Sequence, residues 1–310
     1  MTNMTASARI DVNFYVRGVK CAAWLYLPDN FAGEPVPAIV LGHGLGGVRS
    51  WRLDNFARAF CAAGYGCLVF DYRGFGDSDG SPRQVVDPEQ LLEDWRAAIV
   101  YARSRAEFDP DRIVLFGTSF GGGHVTRLGS EDTRIAAIIA QCPFLDGVAS
   151  SRLTDTVRGL RLLGPAIRDV IARRRGAPPV LVDIGGPRGS KSLVLANQAD
   201  FNAMIPEGVQ SETQVAARIM FSIIGYRPGL STPDISCPAL FILCEGDRLI
   251  PVKSSLSHVR RAPRGDIQVV PYGHFDIYDG APFRDVLARE LDFLARHVPT
   301  GTSTSTGQSQ

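Results

Sequence analysis

Apolar residues alternate with polar ones at Val12, Phe14 and Val16, and a second apolar stretch covers residues 19–27. This period of two predicts two antiparallel strands meeting at a turn near Gly18. From Val36 onward the rhythm changes. Short apolar runs at 38–41, 67–70, 113–116, 135–140, 239–244 and 267–270 alternate with helix-like segments. That is the pattern of crossover units around a parallel sheet buried on both faces. The clearest helix starts at Asp87, with Pro88 in its first position and Gln90 three residues after the cap, and its apolar face runs Leu91, Leu92, Trp95, Ala98, Ile99, Ala102. A last helix is expected over about 282–297. The predicted class is therefore α/β, a mostly parallel, doubly wound sheet preceded by an antiparallel hairpin.

Between Pro143 and Pro238 the strand–helix rhythm stops, while Arg, Gly and Pro punctuate helical fragments. The expected organisation is a core of residues 1–143 and 237–298, an inserted and mainly helical lid over 144–236, and a tail, 299–310, whose lack of apolar residues points to disorder. The length of 310 residues taken alone suggests about two domains. The motifs instead argue for one sheet split by a lid.

Composition narrows the functional classes. With 33 basic and 32 acidic residues, whole-chain charge supplies no argument for nucleic acid or an anionic membrane as partner. All but three of the basic residues (Lys20, Lys191, Lys253) are arginines, which reads mainly as coding bias. The neutrality conceals one asymmetry: residues 152–191 hold nine basic and three acidic side chains. The plain reading of such a segment is a solvated helix face, and the functional one is a dock for an anionic acyl donor such as a carrier protein or coenzyme A. No apolar run reaches the roughly 20 residues of a membrane helix, and the first ten residues do not read as a secretory signal. Cys21, Cys61, Cys67, Cys142, Cys237 and Cys244 form no C-x-x-C pair and read as small buried hydrophobes in a reducing, cytoplasmic setting. Clustered metal ligands and a Walker lysine are missing from the sequence, so the expectation is no cofactor and no metal.

The string Gly117-Thr118-Ser119-Phe120-Gly121 is G-x-S-x-G, weak as letters but set between a strand and a helix, as a nucleophile elbow requires. A serine hydroxyl attacks well only when a base removes its proton. Of the five histidines, His43 follows an early strand, His124 and His297 lie in helices, and His258 falls in a helix after Pro251, where a surface role is the safer reading. Only His274 stands in a loop directly after a late strand, able to reach back over the sheet. The loop after the preceding strand offers Asp247, with Glu245 in reserve, as the orienting acid. The order Ser119, Asp247, His274 puts each residue at a strand's C-terminal end, where such sheets place their ligands. For the oxyanion, the expected donors are the amides of Phe120 and of Leu45, the latter within the loop Gly42-His43-Gly44-Leu45-Gly46-Gly47. That loop also supports a rival reading. Gly42, Gly44 and Gly47 spell G-x-G-x-x-G, and Asp71 ends the next strand, as in a dinucleotide site. Against this, the next helix-like segment begins only near Trp51.

With those residues in place, the chain resembles an α/β-hydrolase from about residue 10 to 298. More narrowly, His43-Gly-Leu-Gly-Gly-Val48, Phe70-Asp-Tyr-Arg-Gly-Phe-Gly-Asp-Ser-Asp79-Gly and Gly273-His-Phe-Asp-Ile-Tyr278 are similar to the polyketide transferase and thiohydrolase group. The resemblance implies cleavage of an ester or thioester, or transfer of an acyl chain from a carrier to an alcohol, with Ser119, Asp247 and His274 as triad. A non-catalytic binding protein built on the same fold is the alternative from another class, and an intact set of triad residues argues against it.

Overall fold

The structure, a computed structural model, describes residues 9–152 and 156–301. Strands β1 (Arg9–Val16) and β2 (Val19–Tyr26) pair antiparallel with Val16 opposite Val19. Arg17 and Gly18, at φ 50° and 82°, close the two-residue turn between them. Strands β3 (Val36–Gly42), β4 (Gly66–Phe70), β5 (Phe108–Thr118) and β6 (Ala137–Gln141) follow, joined by helices α1 (Leu53–Ala62), α2 (Pro88–Arg103) and α3 (Phe120–Glu131). After the insertion come β10 (Ala239–Cys244), α8 (Val252–Val259), β11 (Gly265–Val270) and α9 (Gly280–His297). The main sheet runs β1-β2-β4-β3-β5-β6-β10-β11. β2 is antiparallel to both neighbours and the other pairings are parallel. Every residue of β4, β6 and β10 is buried, which explains why these strands read as unbroken apolar runs. The Asp87 carboxylate caps α2 by accepting from the amides of Glu89 and Gln90.

Strand order reverses around β3, which has β4 on one side and β5 on the other. Loops leaving such neighbouring strands diverge and open a crevice at their C-terminal ends. The segments after β3 and β5 both emerge there.

The insertion between β6 and β10 carries helices α4 (Gly147–Ser151), α5 (Thr156–Arg174), α6 (Gln198–Met204) and α7 (Ile219–Gly225). It also holds strands absent from the sequence-based expectation: β7 (Leu181–Gly186), β8 (Ser192–Leu195) and β9 (Gln214–Ala216), which form a separate sheet in the order β8-β7-β9. Leu162, Ala166, Val182 and Ala217 make a small apolar core there. Beside it the fully buried Asp169 carboxylate accepts from the amides of Val180 and Arg218 and pairs with the Arg218 guanidinium at 3.0 Å. Part of the expected tail, residues 302–310, lies outside the described residues.

Candidate active site

Ser119 sits between the end of β5 and the start of α3 with φ 56° and ψ −117°, a left-handed conformation that costs a non-glycine residue on the order of 1–3 kcal/mol. Its backbone is held there from three sides. The Ser119 amide donates to the Gln141 carbonyl at 2.8 Å, and its carbonyl accepts from Gly123 at 3.2 Å and Phe144 at 2.9 Å. The flanking glycines are required by close approach: a Cβ on Gly117 would fall 2.2 Å from the Gly121 carbonyl oxygen, and one on Gly121 would fall 2.6 Å from that of His43.

His274 Nε2 lies 3.0 Å from Ser119 Oγ, and His274 Nδ1 lies 2.6 Å from Asp247 Oδ2. The other carboxylate oxygen of Asp247 accepts from the amides of Leu249 at 2.7 Å and Ile250 at 2.9 Å, which fixes its orientation. The Asp247 and His274 side chains are both buried. Burial by itself draws the His274 imidazole down, but the charge and hydrogen bond of Asp247 overcome it and hold the pKa well above the usual histidine value. Glu245, two residues earlier, is exposed. The geometry thus brings together the three residues expected from sequence and passes over the reserve acid.

The loop after β3 lies against the serine. A Cβ on Gly44 would fall 2.9 Å from Ser119 Cβ, and one on Gly47 would fall 2.1 Å from the His43 ring. These glycines make room for the protein's own side chains rather than for a pyrophosphate, and α1 begins only at Leu53. Asp71, the acid of the dinucleotide reading, is spent on the same loop: it accepts from the Arg49 amide at 2.7 Å and pairs with the Arg49 guanidinium. Among the described residues the amides of Leu45 and Phe120 donate to no protein acceptor. His43 itself is buried, with its pKa pushed down to about 4. Its Nδ1 accepts from the Gly44 amide at 2.7 Å and its Nε2 donates to the Trp51 carbonyl at 3.0 Å, so it braces the loop as a neutral ring.

The remaining histidines fall elsewhere. His124, on the inner face of α3, is buried with Nδ1 2.7 Å from the Tyr226 hydroxyl and its pKa pushed down to about 3. His297 is exposed in the last turn of α9. The surface reading of His258 is overturned: the ring is buried, seated against Gly229, with Nε2 3.2 Å from Asp146. Sequence reasoning also left Tyr278 without a role. Its hydroxyl is 2.7 Å from Thr118 Oγ1 and its ring stacks on His43, which ties the histidine loop to the elbow and to the loop after β3. Its place four residues after His274 was the available signal. All six cysteines are buried and unpaired. Among the described residues, no His/Cys/Asp/Glu group has the arrangement of a metal site, and no helix is long and apolar enough to cross a membrane.

The insertion touches this site. A Cβ on Gly46 would fall 2.5 Å from Ile184 Cδ1 and 2.9 Å from Val215 Cγ1, so strands β7 and β9 press on the residue next to Leu45. Trp51 Nε1 donates to Ser211 Oγ at 2.5 Å. Gln84, at φ 61°, accepts through its carbonyl from the Ala216 amide at 2.8 Å and donates through Nε2 to the Gln214 carbonyl at 3.0 Å.

Comparison with known proteins places these features in context. A family model described as serine aminopeptidase, S33, matches residues 33–275. The chain is 46% identical over 299 residues to the quorum-quenching protein AidA of Acinetobacter baumannii, covering 96% of this chain and 98% of that protein. It is 33% identical over 142 residues to the thiohydrolase aneE of Aspergillus aculeatus, covering 46% of this chain and 43% of that protein. The crystal structure of the α/β hydrolase GrgF from Penicillium sp. sh18 superposes with a TM-score of 0.80 at 26% identity, covering 94% of this chain and 99% of that one.

Proposed function

The chain belongs to the serine aminopeptidase S33 family of α/β hydrolases, and from that premise we propose that it cleaves a carboxylic ester or thioester through an acyl-enzyme on Ser119. The observation that carries this reading is the unbroken hydrogen-bond chain from Ser119 Oγ through His274 to Asp247. His274 Nε2 takes the Ser119 proton as Oγ attacks the acyl carbon, and Asp247 holds the ring so that the imidazolium is stabilised. The amides of Leu45 and Phe120, both unspent among the described residues, receive the oxyanion. His274 then returns the proton to the departing alcohol or thiol. Water, activated by the same imidazole, releases the acid and restores the serine.

The acyl group is small-molecule in character, in keeping with the relatives: one is named for quorum quenching, one as a thiohydrolase. Cyclic esters fall within the same chemistry. A second reading, acyl transfer in which an alcohol replaces the water, is favoured by the 28% identity over 303 residues to the polyketide transferase grgF of Penicillium sp.. The same residues serve both. The insertion acts as the lid that selects substrate and acceptor, because its strands rest on the oxyanion loop. Arg173, Arg174 and Arg175 are exposed and form no ion pair among the described residues, which suits them to an anionic donor such as a carrier protein or coenzyme A. Reversing all three to Glu is expected to raise KM for a carrier-linked thioester severalfold and to spare a small neutral ester; equal effects on both would remove the donor role.

The test of the serine is labelling with a fluorophosphonate. Wild type is expected to react under native conditions and Ser119→Ala is not. An unreactive wild type would point to a binding protein, and an equally reactive alanine variant to a different nucleophile. Incubation with ester, thioester and lactone panels, with and without added alcohols, separates hydrolysis from transfer by product.

A further inference from the structure

Helix α5 carries apolar side chains on its outward face as well as its inward one. Its inward face carries Arg158 and Asp169 alongside Leu162, Pro165 and Ala166, all buried. Its outward face carries Leu160, Leu163, Ile167 and Ile171, and Leu160 is 68% exposed. These positions follow i, i+3, i+7 and i+11, so they form one stripe along the helix. Gly164 lies within the stripe, and no atom lies within 4 Å of where its Cβ would be. On α7, which packs against α5, Phe221 and Ile224 are also exposed and three residues apart. Beside the stripe runs a groove of about 740 Å³ lined by apolar residues such as Val86 and Phe221 and by charged ones, Asp87, Arg173, Arg174 and Arg218 among them.

We propose that this face pairs with the same face of a second copy of the chain, through a two-fold axis near Gly164. Three observations favour that occupant. A stripe centred on a two-fold axis is self-complementary: after rotation about Gly164 the Leu160 and Leu163 end of one copy meets the Ile167 and Ile171 end of the other, as an isologous contact requires. The six apolar side chains expose on the order of 500 Å², at the upper end of what single chains leave uncovered. Two copies would therefore bury about 1,000 Å² of apolar surface before any rim is counted, and a rim brings this to the size of stable dimer interfaces. Gly164 lets the two helix backbones approach closely where larger residues would hold them apart. The margins carry Arg161, Arg168, Arg173 and Arg174, which form no ion pair with a carboxylate among the described residues. Like charges meeting at the rim oppose association, so salt should strengthen it by screening. An anionic surface as occupant predicts the reverse. The proposal concerns assembly and stands independently of the reaction assigned to Ser119.

Sedimentation velocity over a concentration series tests it. Wild type is expected to sediment as a dimer that tightens between low and moderate salt. Ile167→Asp is expected to raise the dissociation constant by about thirtyfold or more, the scale of losing an interface anchor, with its circular dichroism unchanged because the residue is exposed. Gly164→Cys adds one exposed thiol to a chain whose six cysteines are buried. A short bismaleimide should cross-link it into a covalent dimer, and adding Ile167→Asp should abolish that product. A wild type that stays monomeric across the series overturns the proposal. So does a Gly164→Cys protein that fails to cross-link, or wild-type monomer that binds phosphatidylglycerol vesicles and is released by salt.

Discussion

Burial keeps His43 and His124 neutral, with pKa values of about 4 and about 3, whereas Asp247 holds that of His274 well above the histidine norm. In its proposed role as base, His274 must be unprotonated. A raised pKa favours the protonated ring, so activity is lost as pH falls through the raised value. The acid limb of kcat/KM should thus follow a single proton and lie above about pH 6.5, the value of an unperturbed imidazole. Asp247→Asn removes the charge that raises the pKa, and should shift the limb toward acid while lowering kcat by about 10⁴-fold. A pH–rate profile of the variant with its limb unmoved would separate Asp247 from the titrating group. The proposed triad was legible in sequence because each of its residues follows a strand end, in the chain order Ser119, Asp247, His274. His258 was not, because its partner Asp146 stands 112 residues away and its seat depends on the missing side chain of Gly229.

At the scale of elements, packing on both faces made the central strands readable: β4, β6 and β10 lack any outward polar positions, and their apolar runs have no other home. The insertion's strands have only six, four and three residues, and Pro187, Gly189 and Ser190 interrupt the chain between the first two. Only the alternation of Val182 and Ile184 with Asp183 hinted at them, since their pairing is completed by the distant Gln84. Two glycine substitutions contrast the regions. Gly117→Ala drives a methyl into the Gly121 carbonyl and should destabilise the core by about 3 kcal/mol. Gly159→Ala meets open space within α5 and should stabilise that helix by about 0.5–1 kcal/mol, the usual gain from replacing a mid-helix glycine. Thermal unfolding distinguishes them by sign. A neutral Gly117→Ala would mean that the elbow tolerates the widening that the close contact forbids.

Across the whole molecule, the elements that carry the candidate site and the small sheet of the insertion proposed to select the substrate meet at long-range contacts. Gln84 and Trp51 belong to the core, yet they bond Gln214, Ala216 and Ser211 of the insertion, while Ile184 and Val215 press on Gly46 beside a proposed oxyanion donor. Residues at the two ends of the insertion are anchored in the core, where Tyr226 meets His124 and Asp146 meets His258, so the part expected to loosen without unfolding the main sheet is the small sheet β8-β7-β9. Gln84→Gly tests this cleanly: glycine accepts the positive φ at that position, so the change deletes the side-chain bond to Gln214 without adding backbone strain. Losing a hydrogen bond of this kind costs roughly 1–1.5 kcal/mol, equivalent to about tenfold in a local opening equilibrium. Amides of β7 and β9 should therefore exchange with deuterium about tenfold faster in the variant, while those of β3 and β5 keep wild-type rates. Uniform acceleration across both sheets would show that insertion and core open as one unit. Unchanged exchange in β9 would show that the apolar contacts on Gly46 hold the insertion down by themselves.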